Sequence, residues 1–189
     1  MSWDYLPASI AERVRGSEIQ QKCKRSFRGA QSRSEGEEFE KIIEASLIFY
    51  KSKCVAEIEK TPEPMKPLGK PNSEGRFLAC YTKAAQPDFK GTLKGGLSVV
   101  FEAKHTDGDR IEYGRLTEDQ IERMESHYDL GAVCFVLVSF DLRFFFRIPW
   151  GIWRDMKAIY GRKYITLAEC TQYRVPYVSG IIELLDGIV

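Results

Sequence analysis

This sequence of 189 residues has only two histidines, His105 and His127, and neither has matching metal-ligand partners, so both read as structural or exposed side chains. Its five cysteines, Cys23, Cys54, Cys80, Cys134 and Cys170, are odd in number, widely scattered and never in a CxxC pair. That argues against zinc or a disulfide framework and for reduced thiols in a cytosol, so a cytoplasmic location is expected. Cys134 lies in an apolar run and reads as core. No apolar run approaches the roughly 18 residues of a membrane span, so no membrane partner is expected. The first residues, Met1-Ser2-Trp3-Asp4-Tyr5, lack the basic start and apolar stretch of a signal peptide. Net charge is only +1, so the whole molecule carries no electrostatic sign of a nucleic-acid binder. There is no internal repeat.

What is present is a globular composition, 43% hydrophobic and 29% charged, with room for one domain and extensions. Basic residues gather locally. Arg13, Arg15, Lys22, Lys24, Arg25, Arg28 and Arg33 make residues 1–35 a basic arm, which reads equally as a solvated tail or a phosphate-contacting one. Ile10 to Arg15 fits a short helix, and the polar, weakly patterned stretch Ser17 to Glu35 reads as flexible. A firmer helix is expected from Glu37 to Lys51, where Phe39, Ile42, Ile43, Leu47 and Tyr50 form one stripe. Cys54 to Ile58 reads as a short strand. Residues 62–86 then hold Pro62, Pro64, Pro67, Pro71, Gly69 and Gly75, a long insertion of the kind that is functional or disordered.

Beyond it, Gly96 to His105 reads as a strand and Thr117 to Tyr128 as a helix. Thr117 with Asp119-Gln120 resembles a capping arrangement. Gly131 to Phe140 and Arg143 to Pro149 read as a hairpin around Asp141-Leu142. Helices are expected from Trp150 to Tyr160 and from Ser179 to Gly187. The order is that of a mixed α/β core.

The chemistry concentrates between Pro87 and Thr106. Pro87-Asp88 precedes a strand, Leu97-Ser98-Val99-Val100-Phe101, that ends in Glu102-Ala103-Lys104. Alternation puts Glu102 and Lys104 on one face and Phe101 and Ala103 on the other. A hairpin or short connection would bring Asp88 beside Glu102. Phosphodiester hydrolysis needs an in-line water and a cation, and Mg²⁺ takes oxygen ligands. Asp88 and Glu102 can offer carboxylates and Ala103 its carbonyl, while Lys104 can orient the attacking water. The plain alternative is a surface ion pair between Glu102 and Lys104.

Six segments together resemble the RecU-type Holliday junction resolvases of the PD-(D/E)xK nuclease superfamily. They are Gly36-x-x-Phe39-Glu40, Lys60-Thr61-Pro62-Glu63-Pro64, Pro87-Asp88-Phe89-Lys90-Gly91, Phe101-Glu102-Ala103-Lys104-His105-Thr106, Gln120-Ile121-Glu122-Arg123-Met124 and Gly161-Arg162-Lys163. The resemblance implies a restriction-endonuclease-like core, a mixed central sheet flanked by helices, over residues 36–189. It implies a projecting stalk at about 62–86 and a homodimer that cuts branched DNA, above all four-way junctions, with Mg²⁺ or Mn²⁺. It places Asp88, Glu102 and Lys104 at the metal and water site, with Glu40 as an added carboxylate and Gln120 close by. Its candidate phosphate contacts are Lys66, Lys70, Arg76 and Lys83 on the stalk, then Lys90, Arg162 and Lys163, and Lys24, Arg25 and Arg28 in the arm. The chain departs from the pattern at His105, at Thr117-Glu118-Asp119 and in its proline segment, as a divergent member, of phage or prophage type, would. A duplex-cutting restriction or repair nuclease and a non-catalytic DNA-binding modulator with the same fold remain alternatives.

Overall fold

The computed structural model describes the backbone of residues 8–62, 65–81 and 86–188, and within these ranges the side chains from residue 29 onward except at position 81. The chain divides into two units between Glu38 and Phe39. Helix α1 (Ala8–Ser52) leads to strand β1 (Ala56–Lys60). A ribbon of β2 (Met65–Pro67) and β3 (Ala79–Tyr81) follows, then β4 (Phe89–Leu93), β5 (Ser98–Thr106) and β6 (Arg110–Glu112). Next come α2 (Glu118–Asp129), β7 (Val133–Phe140), β8 (Phe144–Pro149), α3 (Trp150–Arg154) and α4 (Met156–Tyr160). Then follow β9 (Tyr164–Thr166), α5 (Leu167–Cys170), β10 (Arg174–Val175), β11 (Tyr177–Val178) and β12 (Ile181–Ile182).

Six strands form one sheet in the order β1-β4-β5-β7-β8-β10. Strands β5 and β7 are parallel and joined through α2; the other neighbours are antiparallel. Both faces are covered, which is why β7 is apolar at every position but Ser139 and is buried from Cys134 to Phe140. On one face, Phe39, Ile43, Leu47 and Tyr50 of α1 pack against Phe89, Phe101, Phe135 and Leu137. On the other, Met124 of α2 and Trp150, Trp153 and Met156 of α3 and α4 pack against Val100, Val136 and Val138. The mixed sheet between helices is the architecture the sequence implies. Among the described residues, no helix is long and apolar enough to cross a membrane.

Three rings set the register. Phe89, Phe101 and Phe135 lie opposite one another on adjacent strands, with centroids 4.8 and 4.7 Å apart. Offset stacking across strands is worth roughly 0.5–1.5 kcal/mol per pair beyond burial. A slip by one residue would turn every side chain to the opposite face, so these rings also fix what stands next to them.

Three local expectations need correction, and one strand was not expected. The stretch Ser17 to Glu35 is helical, continuous with α1. It holds no proline and many Glu, Gln, Lys and Arg, so helix propensity prevails without an apolar stripe. Residues 89–93 form a strand, β4, that their Lys-Gly-Thr centre concealed. Trp150 to Tyr160 is two short helices, interrupted at Asp155, whose φ of −92° and ψ of 15° leave helical geometry. The segment from Ser179 to Gly187 is not a helix. Ser179 and Gly180 take φ of 52° and 83°, which turns the chain into the β11–β12 hairpin. Ile182, Leu184 and Leu185 then bury under α1.

Candidate active site

The antiparallel pairing of Phe89 with Phe101 carries over to the preceding and following residues, so Asp88 faces Glu102 on the opposite side of the sheet from the ring stack. Asp88 sits just before β4 begins, and the Thr61 N–H holds its carbonyl at 2.9 Å. Among the described residues, β5 has no ladder partner on the β4 side beyond Phe101. The Asp88 carboxylate takes that place, accepting the Ala103 N–H at 3.0 Å. The N–H and C=O of a strand residue share a side, so the Ala103 carbonyl opens on the same edge.

Glu102 is fully buried, at 0% exposure, beneath the N-terminal end of α2. Its Oε2 accepts Lys104 Nζ at 2.9 Å and Gln120 Nε2 at 2.5 Å. Lys104 also reaches Asp88 Oδ2 at 3.4 Å. The Glu102–Lys104 pair thus exists, but with side-chain exposures of 0% and 15% it is no surface ion pair. A buried pair gains little net stability from its charge, so stability alone does not account for it. Glu102 Oε1 is buried with no hydrogen-bond partner. A buried carboxylate oxygen left unpaired beside a second carboxylate and an open carbonyl is an oxygen-rich setting that a hard divalent cation satisfies. Burial pushes the Glu102 carboxyl up to about 8; Lys104 opposes the rise and Asp88 adds to it.

Gln120 is held at both ends. Its Oε1 accepts the Thr117 N–H at 3.1 Å, and the Thr117 hydroxyl accepts the Gln120 N–H at 3.3 Å, a capping box on α2. The cap uses the amide oxygen, which leaves the NH₂ end to meet Glu102. Glutamate would serve the cap equally and present a carboxylate to a carboxylate.

Residues 34–187 match the family model described as Recombination protein U. The chain belongs to the RecU family. The Holliday junction resolvase RecU of Streptococcus thermophilus is 29% identical over 170 residues, 80% of this chain and 85% of that one. The Holliday junction resolvase RecU of Streptococcus sanguinis is 32% identical over 111 residues, 56% of this chain and 55% of that one. The solved structure of Hjc from Archaeoglobus fulgidus, a Holliday junction resolvase from an archaeal hyperthermophile, overlaps 73% of this chain and 88% of its own, with a TM-score of 0.42 and 14% identity.

Of the residues that the RecU resemblance points to, Asp88, Glu102, Ala103, Lys104 and Gln120 come together. Glu40 does not join that cluster by any described hydrogen bond or ion pair. Its Oε2 instead accepts Lys60 Nζ at 2.6 Å. Lys60, which sequence reasoning left without a role, ends β1 opposite Phe89, next to Asp88. The hydrogen bond to Glu40, with the nearby charges of Glu44 and Asp88, holds its ammonium pKa above the usual lysine range, against the opposing effect of burial. Its signal was the Lys60-Thr61-Pro62 segment itself. Lys66, Lys70 and Arg76 are exposed on the β2–β3 ribbon. Lys90 is exposed and bonded to Gln86. Arg162 is engaged by Glu169 at 2.6 Å and lies over the Tyr164 ring. Lys163 lies over Tyr113. Lys83 and the side chains of Lys24, Arg25 and Arg28 lie outside the described residues.

Proposed function

We propose that this chain is a metal-dependent endonuclease that resolves four-way DNA junctions by paired symmetric cuts, working as a cytoplasmic homodimer in recombination and repair. The observation that carries this reading is the Asp88–Glu102–Lys104 cluster with its unpaired buried oxygen, in a chain of the RecU family. Its relatives, named Holliday junction resolvases, supply the substrate class. Asp88, Glu102 and the Ala103 carbonyl would hold Mg²⁺, with Mn²⁺ as a substitute. Such an ion, when bound, neutralises phosphate charge and makes a bound water more acidic.

The chain's own groups do the rest. Lys104 orients the attacking water and offsets negative charge as the phosphate becomes pentacoordinate. Gln120 keeps Glu102 turned toward the cluster. Glu40 and Lys60 flank it from α1 and β1. Among the described residues the β2–β3 ribbon pairs only with itself, and it carries exposed Lys66, Lys70 and Arg76. From Met65 to Asn72 it can extend roughly 20 Å at about 3.3 Å per residue, enough to enter the open centre of a junction and meet phosphates there. Lys90, Lys163 and the basic residues before residue 35 serve the duplex arms.

The deciding experiment compares a four-way junction, a nicked duplex and a linear duplex on gels, with and without Mg²⁺, for the parent and Asp88→Asn. Paired cuts in the junction alone, dependent on the ion and absent from a variant that still binds, are expected. Equal cutting of linear duplex would assign a restriction- or repair-type nuclease instead. Junction binding without cutting, under Mg²⁺ and Mn²⁺ alike, would assign a non-catalytic modulator.

A further inference from the structure

The ribbon does not end in a loose loop. Its ladder continues past β2 and β3 through the Leu68 N–H on the Leu78 carbonyl at 2.7 Å, and it closes again where the Asn72 N–H meets the Arg76 carbonyl at 2.7 Å. Between these, residue 72 grips the turn with its side chain. Asn72 Oδ1 accepts the Glu74 N–H at 3.0 Å and the Arg76 N–H at 2.9 Å. The Asn72 carbonyl accepts the Gly75 N–H at 3.0 Å. Gly75 sits at φ +76°, and a Cβ added there would meet nothing within 4 Å, so backbone conformation rather than space reserves that position for glycine. Pro71 fixes the entering φ. One side chain therefore organises a five-residue turn, with Lys70 just before it and Arg76 closing it. The tip is exposed and has no core of its own to hold its shape.

From this we infer that Asn72 is a positioning residue for junction recognition: it pre-shapes the ribbon tip so that Lys70 and Arg76 meet junction phosphates without first being ordered. This rests on the resolvase reading above. A flexible tip would have to lose its conformational freedom on binding, and that loss subtracts from affinity. Asn72 makes no DNA contact in this scheme, so its removal changes how readily the tip fits, not how many phosphates it meets.

The distinction gives a clean test. Affinities for a four-way junction and for linear duplex are measured across a range of salt concentrations, for the full chain and its Asn72→Ala, Gly75→Ala and Lys70→Ala variants. Asn72→Ala and Gly75→Ala perturb the same turn by unrelated means. Each is expected to weaken junction binding by about five-fold, the scale of one or two lost hydrogen bonds, with duplex binding and the melting curve unchanged. Both should keep the parental slope of log affinity against log salt. Lys70→Ala should lower that slope by nearly one, since it deletes a phosphate contact. Parental junction affinity in Asn72→Ala overturns the proposal, as does an equal loss on junction and duplex. A parent protein that fails to prefer junction over duplex overturns the resolvase reading itself, and this shows in the parent before any variant is made.

Discussion

Glu102→Gln should stabilise the metal-free protein, increasingly so as pH rises, while destroying its activity. Glu102 is buried beside Asp88, and its carboxyl is pushed from an ordinary 4.5 up to about 8. The sign follows from proton counts. Between pH 4.5 and 8 the folded chain keeps this proton and the unfolded chain has lost it, so stability falls as pH rises through that window and levels off above it. At about 1.4 kcal/mol per pH unit, the window from pH 5 to 8 is worth roughly 4 kcal/mol. Glutamine has no proton to lose, so the variant escapes this decline, while every other titrating group stays common to both proteins. For a chain of this length each kcal/mol moves the midpoint by about 2–4 °C, so the gap between variant and parent should widen by about 10 °C from pH 5 to 8. Thermal melts followed by circular dichroism, in chelator, measure it. A constant offset would replace the slope if Glu102 were ionised and solvated in the fold, and parallel curves for the two proteins would refute the reasoning. Adding millimolar Mg²⁺ at pH 8 should restore the parent's midpoint and leave Glu102→Gln unmoved.

Gln120→Glu keeps the cap on α2 but replaces the donor that meets Glu102; turnover should fall by about 10²-fold or more with helicity intact, and unchanged turnover would show that this hydrogen bond is idle. Lys104→Ala should lower turnover by about 10²–10⁴-fold with junction affinity within a few-fold of the parent, as read by single-turnover cleavage beside a binding titration. Gly91→Ala should unfold or strongly destabilise the chain, because its Cβ would lie 2.0 Å from the Glu57 carbonyl oxygen and 2.5 Å from the Ile58 Cα; a melting midpoint within 2–3 °C of the parent would mean that β1 moves away at little cost, at about the scale of 1 kcal/mol. Light scattering at micromolar concentration should report a dimer, since two symmetric cuts call for two sites related by a two-fold axis; monomer alone, with and without junction DNA, would contradict that arrangement.

The sequence by itself determined the layered α/β plan and pointed to Asp88, Glu102, Lys104 and Gln120, which folding brings together. The α1 stripe of Phe39, Ile43, Leu47 and Tyr50 buries as its 3.6-residue spacing requires, and Thr117 caps α2 as its neighbours indicated. These are local facts, because helical periodicity and capping involve residues within a few positions of each other. The pairing of Asp88 with Glu102 was legible only as a possibility, since β4 is too short and too polar to show itself; the ring stack on its far face decided the register. The C-terminal hairpin was missed for a related reason. Leu184 and Leu185 suit a helix, but positive φ at Ser179 and Gly180 and the hydroxyls of Ser46 and Tyr50, which accept the Ile182 and Leu185 N–H groups, bind this segment in another form. Only the tertiary structure decided how each charge is used. Glu40 and Lys60 are 20 residues apart, as are many charged pairs in the chain, yet folding joins these two and sets Lys60 beside Asp88. Glu102 and Lys104 would be an ordinary surface pair on any open strand. The arrival of α2 over β5 removes them from water, and burial raises the Glu102 pKa and leaves its Oε1 without a partner.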